Sequence, residues 1–448
     1  MAVKGTSAGQ SPGLLEKWFK LKENNTTVRT EIIAGITTFM TMVYIIFVNP
    51  NILSAAEMSW NGVFIATIIA TIIGTVAMAL LTNYPFALAP GMGLNAFFAF
   101  TICKQMGVSW EVALGLVFIE GVLFILLSLS KFRSQIVNAI PMTLKSAISA
   151  GIGLFIAFIG FQSSGILVSN PDTIIALGDL TSKDAIVTLF GLIVAGVLYA
   201  YNVKGALLWS ILAATVFGMI PGIGVTGAID GIVALPKWAD FTSVAFKLDI
   251  VGALKLNMIG VLLALLMVDI FDTAGTLIGV STQAGYLDKD GNLPKADKAL
   301  LADAIGTVGG AIVGTSTVTT FVESAAGVSE GGRTGLTGIV TSILFLLSLF
   351  FMPLVGIVPA AATAPALIVV GILMVRNVLS IDWADFTEAM PAFLTMVMMP
   401  FAYSISTGIG FGFISYAAIN LIAGKKEKTN WVVNILAIVF VLYFIFLA

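Results

Sequence analysis

The sequence predicts an all-α polytopic membrane protein with fourteen transmembrane segments, arranged as two inverted repeats of seven. Three observations carry this. Of 448 residues, 58% are hydrophobic and only 10% charged, with a mean hydropathy of +1.04; soluble domains carry about 25% charged residues. Apolar stretches near the ~20 residues that a spanning helix needs recur along the whole chain. Finally, two of those stretches, the third and the tenth, are interrupted in the same way and stand seven apart.

The stretches lie at 31–53, 62–82, 86–103, 110–130, 143–163, 185–201, 204–220, 257–279, 297–314, 316–330, 335–353, 362–379, 390–406 and 408–423. Residues 1–30 read as a cytoplasmic segment, polar and basic, with no short apolar core ahead of a cleavage site. The first repeat then spans 31–220, a polar extracellular linker 221–256, and the second repeat 257–424. Residues 425–448 hold a basic cluster, Lys425, Lys426 and Lys428, and a further apolar run, 430–447, that either spans or lies in the interface.

The distribution of basic residues supports this count, because cytoplasmic loops are enriched in lysine and arginine. With the N-terminus inside, Lys4, Lys17, Lys20, Lys22, Arg29, Lys131, Arg133, Lys145, Lys204, Lys289, Lys295, Lys298, Arg333, Arg376, Lys425, Lys426 and Lys428 face inward, 17 of 22. Lys104, Lys183, Lys237, Lys247 and Lys255 face outward. A miscounted span would scramble the asymmetry. An odd number of spans per repeat forces the two repeats into opposite orientations.

The third segment opens Tyr84-Pro85-Phe86-Ala87-Leu88-Ala89-Pro90-Gly91-Met92-Gly93, with two prolines and two glycines that break a helix. The tenth opens Gly314-Thr315-Ser316-Thr317-Val318-Thr319-Thr320, which favours extended backbone. Non-helical backbone at membrane depth is tolerated only where it is buried in protein or lines a cavity. Paired broken segments in inverted repeats are a pointer to a transporter's binding site.

Within the apolar stretches three carboxylates stand out. Asp269 and Asp272 lie one turn apart on one helix face, and Glu323 sits where the extended piece of the tenth segment meets its half-helix. Burying such groups costs about 2.5–3.5 kcal/mol each on insertion scales, so substrate or proton work is the alternative to helix capping or bound water. Glu120, in the fourth segment, reads as structural. Asn95 follows the first break and offers donors and acceptors. The hydroxyls of Thr37, Thr38 and Thr41 lie in the first segment, where bonding back to helix carbonyls is the competing role. Composition excludes other classes. A net charge of −2 argues against nucleic acid as a partner. The single cysteine, Cys103, forms no intramolecular disulfide, and without histidine there is no ligand cluster for a metalloenzyme and no cofactor to expect. Any side chain that moves a proton is then a carboxylate or a lysine.

Several motifs together resemble the AzgA-like purine permeases of the nucleobase:cation symporter-2 type, nearly end to end. They are Thr37-Thr38-Phe39 with Asn49-Pro50; Ala89-Pro90-Gly91-Met92-Gly93-Leu94-Asn95-Ala96; Phe271-Asp272-Thr273-Ala274-Gly275-Thr276; and Val322-Glu323-Ser324-Ala325-Ala326-Gly327 followed by Gly331-Gly332-Arg333-Thr334-Gly335. The pattern is most similar to bacterial hypoxanthine/guanine permeases, and adenine carriers share much of it. The resemblance implies a core domain of segments 1–4 and 8–11, a gate domain of 5–7 and 12–14, and short antiparallel β-strands in the two broken segments. It places a purine base among Thr38, Gly93, Leu94, Asn95, Asp269, Asp272, Thr276, Phe321, Val322, Glu323 and Ser324, with proton coupling at Asp272 and Glu323. It also implies H⁺ in preference to Na⁺ as coupling ion, a multi-pass protein of the cell membrane and a homodimer. Related uracil and xanthine carriers have glutamates matching Asp272 and Glu323, and a histidine where this chain has Thr276, so the proton route departs from theirs.

The chemistry of the bases fits. Guanine and hypoxanthine present a ring N–H beside a carbonyl, which a carboxylate can accept; adenine lacks it and suits an amide such as Asn95. An adenine-preferring permease, or a carrier of another small solute on the same fold, stays open.

Overall fold

The computed structural model describes residues 14–129, 140–220, 223, 231–255, 258–288 and 293–446. Lys4, Lys131, Arg133 and Lys289, and part of the 221–256 linker, lie outside them.

The first apolar stretch forms two helices, α2 (Val28–Met42) and α3 (Ile45–Ser54), after a short α1 (Leu14–Phe19). The Thr27 hydroxyl caps α2 by accepting from the Thr30 amide. Next comes α4 (Trp60–Thr82), ended by Asn83 in the left-handed conformation. The third stretch is not a spanning α-helix. It forms strand β1 (Leu88–Pro90), a five-residue α5 (Met92–Ala96) and a π-helix over Phe97–Gln105. After α6 (Trp110–Leu129) and α7 (Met142–Ser163) an unforeseen hairpin appears, β2 (Leu167–Asn170) with β3 (Ile174–Leu177). Helices α8 (Lys183–Ala200) and α9 (Ala206–Gly218) complete the first half. The linker carries two short helices, α10 (Trp238–Thr242) and α11 (Ile250–Ala253), where the sequence suggests only polar chain.

The second half repeats the plan with α12 (Ile259–Ala284) and α13 (Ala296–Val313), then strand β4 (Val318–Thr320) and α14 (Ser324–Ser329). It continues with α15 (Gly335–Ser348), α16 (Met352–Gly356), α17 (Ala360–Val375), α18 (Phe386–Phe401), α19 (Ile405–Ile422) and α20 (Trp431–Phe446). Helix α18 starts four residues before the predicted thirteenth stretch, because Asp385 caps it by accepting from the Thr387 amide. Among the described residues, eight helices are long and apolar enough to cross a membrane; Ala206–Gly218, Ile259–Ile270, Phe386–Phe401 and Trp431–Ile445 are shorter apolar helices. With the two strand-bearing segments, this is a polytopic integral membrane fold.

Packing follows the sevenfold offset. Helix α4 packs on α13, the element seven segments later, and α7 packs on α17 by the same offset. The pairs α6–α13 and α15–α4 are mates under that shift, as are α2–α15 and α12–α6. Helices α7, α8, α9, α17, α18 and α19 pack mostly among themselves, while α3, α4, α12 and α13 pack against the central strands.

Those strands meet at the centre. β1 and β4 run antiparallel, pairing Leu88 with Thr320, Ala89 with Thr319 and Pro90 with Val318. The ladder extends through Gly91 N–H to the Thr317 carbonyl (3.0 Å) and Phe321 N–H to the Ala87 carbonyl (2.9 Å). Outer edges would be unsatisfied in a dry interior, and helix hydroxyls serve them. Thr75 accepts from the Leu88 amide (2.9 Å) and donates to its carbonyl (3.1 Å), while Thr307 donates to the Val318 carbonyl (3.0 Å). The helices carrying these threonines come close because glycines face each other beneath the strands. A Cβ on Gly306 would stand 2.9 Å from the Val318 side chain and 3.1 Å from the Gly74 Cα.

Candidate functional site

The chain's arrangement at the crossing brings two of the predicted carboxylates together. Asp272, at mid-length of α12, accepts from the Thr319 hydroxyl (3.3 Å). A Cβ on Gly91, which precedes α5, would lie 3.5 Å from the same carboxylate oxygen, so strand, half-helix and α12 converge there. Glu323 precedes α14, and its carboxylate is close enough to Asp272 to feel its charge. Its Oε1 accepts a 2.6 Å bond from the Tyr44 hydroxyl, and the Thr41 hydroxyl reaches its carbonyl (3.4 Å). Tyr44 sits in the break between α2 and α3; nothing in the sequence singled it out except its position beside that break.

A cavity of about 300 Å³, the low end for small-molecule sites, opens onto Glu323 and Val322. Its other walls include Thr41, Tyr199, Lys204 and Leu373. Val322 is 53% exposed within an otherwise buried stretch, while Phe321 is buried. At the rim Lys204, between α8 and α9, forms an ion pair with Glu330 at the end of α14.

Other predicted residues stand apart from this pair. Asn95 is fully buried; its amide nitrogen donates to the Pro90 carbonyl (3.4 Å) and its oxygen accepts from the Ser316 hydroxyl. It therefore ties the two broken segments to each other. Ser324 does likewise, accepting from the Ala87 amide (2.9 Å). Gly93 backs onto Ile152 of α7, and Leu94 is buried. Thr38 is fully buried with no hydrogen-bond partner for its hydroxyl, against Gly327 of α14. Thr276 is half-buried one turn past Asp272. Asp269, one turn before Asp272, is fully buried, and its Oδ1 accepts from the Thr273 hydroxyl (3.2 Å).

Glu120 does not stand alone. It accepts from the Thr317 hydroxyl (2.8 Å) and faces the charges of Asp269 and Asp303. Linear spacing hides this, because α6, α12 and α13 are distant in sequence. Asp303 carried the same signal as Asp269, an acid inside an apolar stretch. Glu31 is buried too, accepting from the Arg333, Thr334 and Thr337 amides and the Thr337 hydroxyl (2.6 Å), so it caps α15. Among the described residues no group of three histidine, cysteine or acidic side chains has the geometry of a metal site. The two central carboxylates can accept N–H donors from a planar neutral ligand.

Comparison with known proteins agrees with this chemistry. A family model described as "Permease family" matches residues 29–411. The guanine/hypoxanthine permease PbuG of Bacillus subtilis is 46% identical over 97% of this chain and 100% of its own length. The adenine permease AdeP of Escherichia coli is 42% identical over 100% and 99%. The putative permease MJ0326 of Methanocaldococcus jannaschii is 50% identical over 97% and 99%. The transmembrane domain of a cyanobacterial bicarbonate transporter, BicA, shares the fold (TM-score 0.63, 14% identity, 85% of this chain and 97% of that one). So does SLC26A9 (TM-score 0.67, 11% identity, 95% and 73%). The chain is a carrier and not an enzyme: it belongs to the Permease family, in its nucleobase:cation symporter-2 branch.

Proposed function

We propose that this protein imports purine nucleobases across the cell membrane by proton symport, with hypoxanthine and guanine preferred. The observation that carries the proposal is the pair of carboxylates that flank the end of β4, Asp272 held by Thr319 and Glu323 held by Tyr44. Two acceptors suit the ring N–H and exocyclic donors of an oxopurine. Asn95, whose amide would suit adenine, is engaged by Ser316 and the Pro90 carbonyl. The relatives named for guanine/hypoxanthine and those named for adenine have similar identities, so specificity rests on this site.

In this reading Glu323 and Asp272 recognise the base, and Thr38, Asn95 and the backbone at Phe321 and Val322 orient it. Gly93, Leu94, Thr276 and Ser324 surround it, and intramembrane acids carry the proton. The chain crosses the membrane fourteen times with its N-terminus in the cytoplasm. Segments 1–4 and 8–11 form the core, segments 5–7 and 12–14 the gate, and two copies pair through their gates. The packing mates seven segments apart support the inverted repeats. The anion carriers that share the fold suggest a rival, but a centre of two carboxylates repels an anion.

The test is uptake of radiolabelled hypoxanthine by cells lacking their own purine carriers, with and without a protonophore. Unlabelled guanine, adenine, xanthine and uracil serve as competitors. Accumulation that collapses with the protonophore and is blocked by guanine is the expected result. Blockade by adenine in place of guanine moves the specificity, and no uptake by correctly inserted protein refutes the purine assignment.

A further inference from the structure

A second acidic group lies beside the strands. Glu120, Asp269 and Asp303 are each fully buried near the middle of α6, α12 and α13. Glu120 Oε2 accepts from Thr317, while Oε1 is buried with no hydrogen-bond partner. Thr273 stands between the other two, its hydroxyl 3.2 Å from Asp269 Oδ1 and 3.0 Å from Asp303 Oδ2. A threonine hydroxyl has one proton to donate and can also accept. It satisfies both neighbours at full strength only when one carboxyl is protonated and donates to it. The Thr320 hydroxyl, on a residue 2% exposed, is also buried without a partner. It shares a strand face with Val318, whose side chain faces Gly306 and Gly310 of α13, and so points to the helix that carries Asp303.

Basic residues are missing from these segments: none occurs at 105–130, 256–288 or 299–332, and the chain has no histidine. Other charges on the elements packed against α6 lie at its ends or at the base site. Glu111 and Asp249 meet at its start, nine residues or about 13 Å of helix from Glu120. Lys104 ends the π-helix, Asp297 and Lys298 begin α13, and Asp272 faces the base site. Three like charges in a dry interior repel one another strongly.

We propose that Glu120, Asp269 and Asp303 hold the transported proton, and that β4 couples this site to the base-binding carboxylates. The inference rests on the symport reading above and places the proton on these three acids in place of Asp272 and Glu323, whose ionised carboxylates are the stronger acceptors for base N–H groups. The link is short. Thr317 and Thr319 share one strand face and bond Glu120 and Asp272, respectively, while the Thr320 amide donates to Asp303 (3.1 Å). Loss of the proton adds a negative charge along the strand from the base site and weakens that anionic site. Base and proton therefore bind together and leave together.

The experiment uses purified protein in proteoliposomes, comparing wild type with Glu120→Gln and Asp303→Asn. Equilibrium exchange of labelled hypoxanthine should stay within about threefold of wild type, while accumulation driven by an imposed pH gradient falls at least tenfold. Infrared spectra should show a buried carboxylic acid C=O band in wild type that Glu120→Gln or Asp303→Asn diminishes. Unchanged accumulation in both variants, or equal loss of exchange and accumulation in folded protein, overturns the proposal. If the variants do not fold, Thr317→Val removes the Glu120 partner at constant shape; it should shift the pH dependence of accumulation, and an unshifted profile counts against the site. Wild type that takes up no purine defeats the symport reading, whereas an absent infrared band defeats the proton site by itself.

Discussion

Replacing Glu323 with glutamine tests the base site at a single atom. Tyr44 occupies Oε1 at 2.6 Å, leaving the second oxygen for a base N–H. In Glu323→Gln the amide oxygen keeps the Tyr44 bond and the NH₂ group turns toward the base, so donor meets donor. The hydrogen bond lost was to a charged acceptor, about 1.5–3 kcal/mol, and an unpaired buried donor adds about 1–3 kcal/mol. Together these amount to about 2.5–6 kcal/mol, on the order of a hundredfold to ten-thousandfold in affinity. Calorimetric or scintillation-proximity titration of hypoxanthine onto purified protein measures it, with thermal unfolding as the control for folding. A folded Glu323→Gln protein that binds hypoxanthine within about threefold of wild type would show that this carboxylate does not contact the base.

Tyr44→Phe should keep the acid but free it to rotate, costing about tenfold in affinity by the same titration. Ser324→Ala removes the tie to the Ala87 amide and should lower stability in detergent by about 1–3 kcal/mol, read as a lower unfolding midpoint, because a buried donor is left without its partner. Gly306→Val would drive side-chain atoms into Val318 and α4, an overpacking cost of about 1–3 kcal/mol or more, seen in the same melting experiment. The Lys425 and Lys428 ammoniums hold the Asp385 carboxyl well below the usual carboxylate range. A depressed acid contributes stability that is full above its unfolded pKa, about 4, and is lost as pH falls below that toward the folded value. Asp385→Asn should therefore lower the melting temperature near neutrality and flatten the acid limb, so that variant and wild type converge at low pH.

The crossed strands were legible because proline, glycine and a run of threonines defeat a helix wherever they fall. Asp272 and Glu323 were legible because an acid in an apolar stretch is conspicuous. Partnerships were not. Tyr44 is an unremarkable aromatic until the break after α2 aims its hydroxyl at Glu323. Glu120 looked solitary because its neighbours, Asp269 and Asp303, reach it through helix packing that no local periodicity encodes. The β2–β3 hairpin carries a turn signal at Asn170-Pro171-Asp172-Thr173, where Asn170 Oδ1 accepts from the Asp172 and Thr173 amides, but its strands are too short to stand out from a connecting loop.

The pairing of β1 with β4 also constrains how the protein is made. One strand belongs to the first half and its partner to the second, so neither half alone satisfies the backbone at the centre. At roughly 5–20 residues per second, the ribosome needs on the order of ten seconds or more to travel from Pro90 to Val318. Throughout that interval the first half must shelter an open strand edge from lipid, held by Thr75 on one side only. Assembly of the two halves during biogenesis and completion of the binding site are thus a single event, and a chain cut in the linker would regain function only when both pieces are synthesised together.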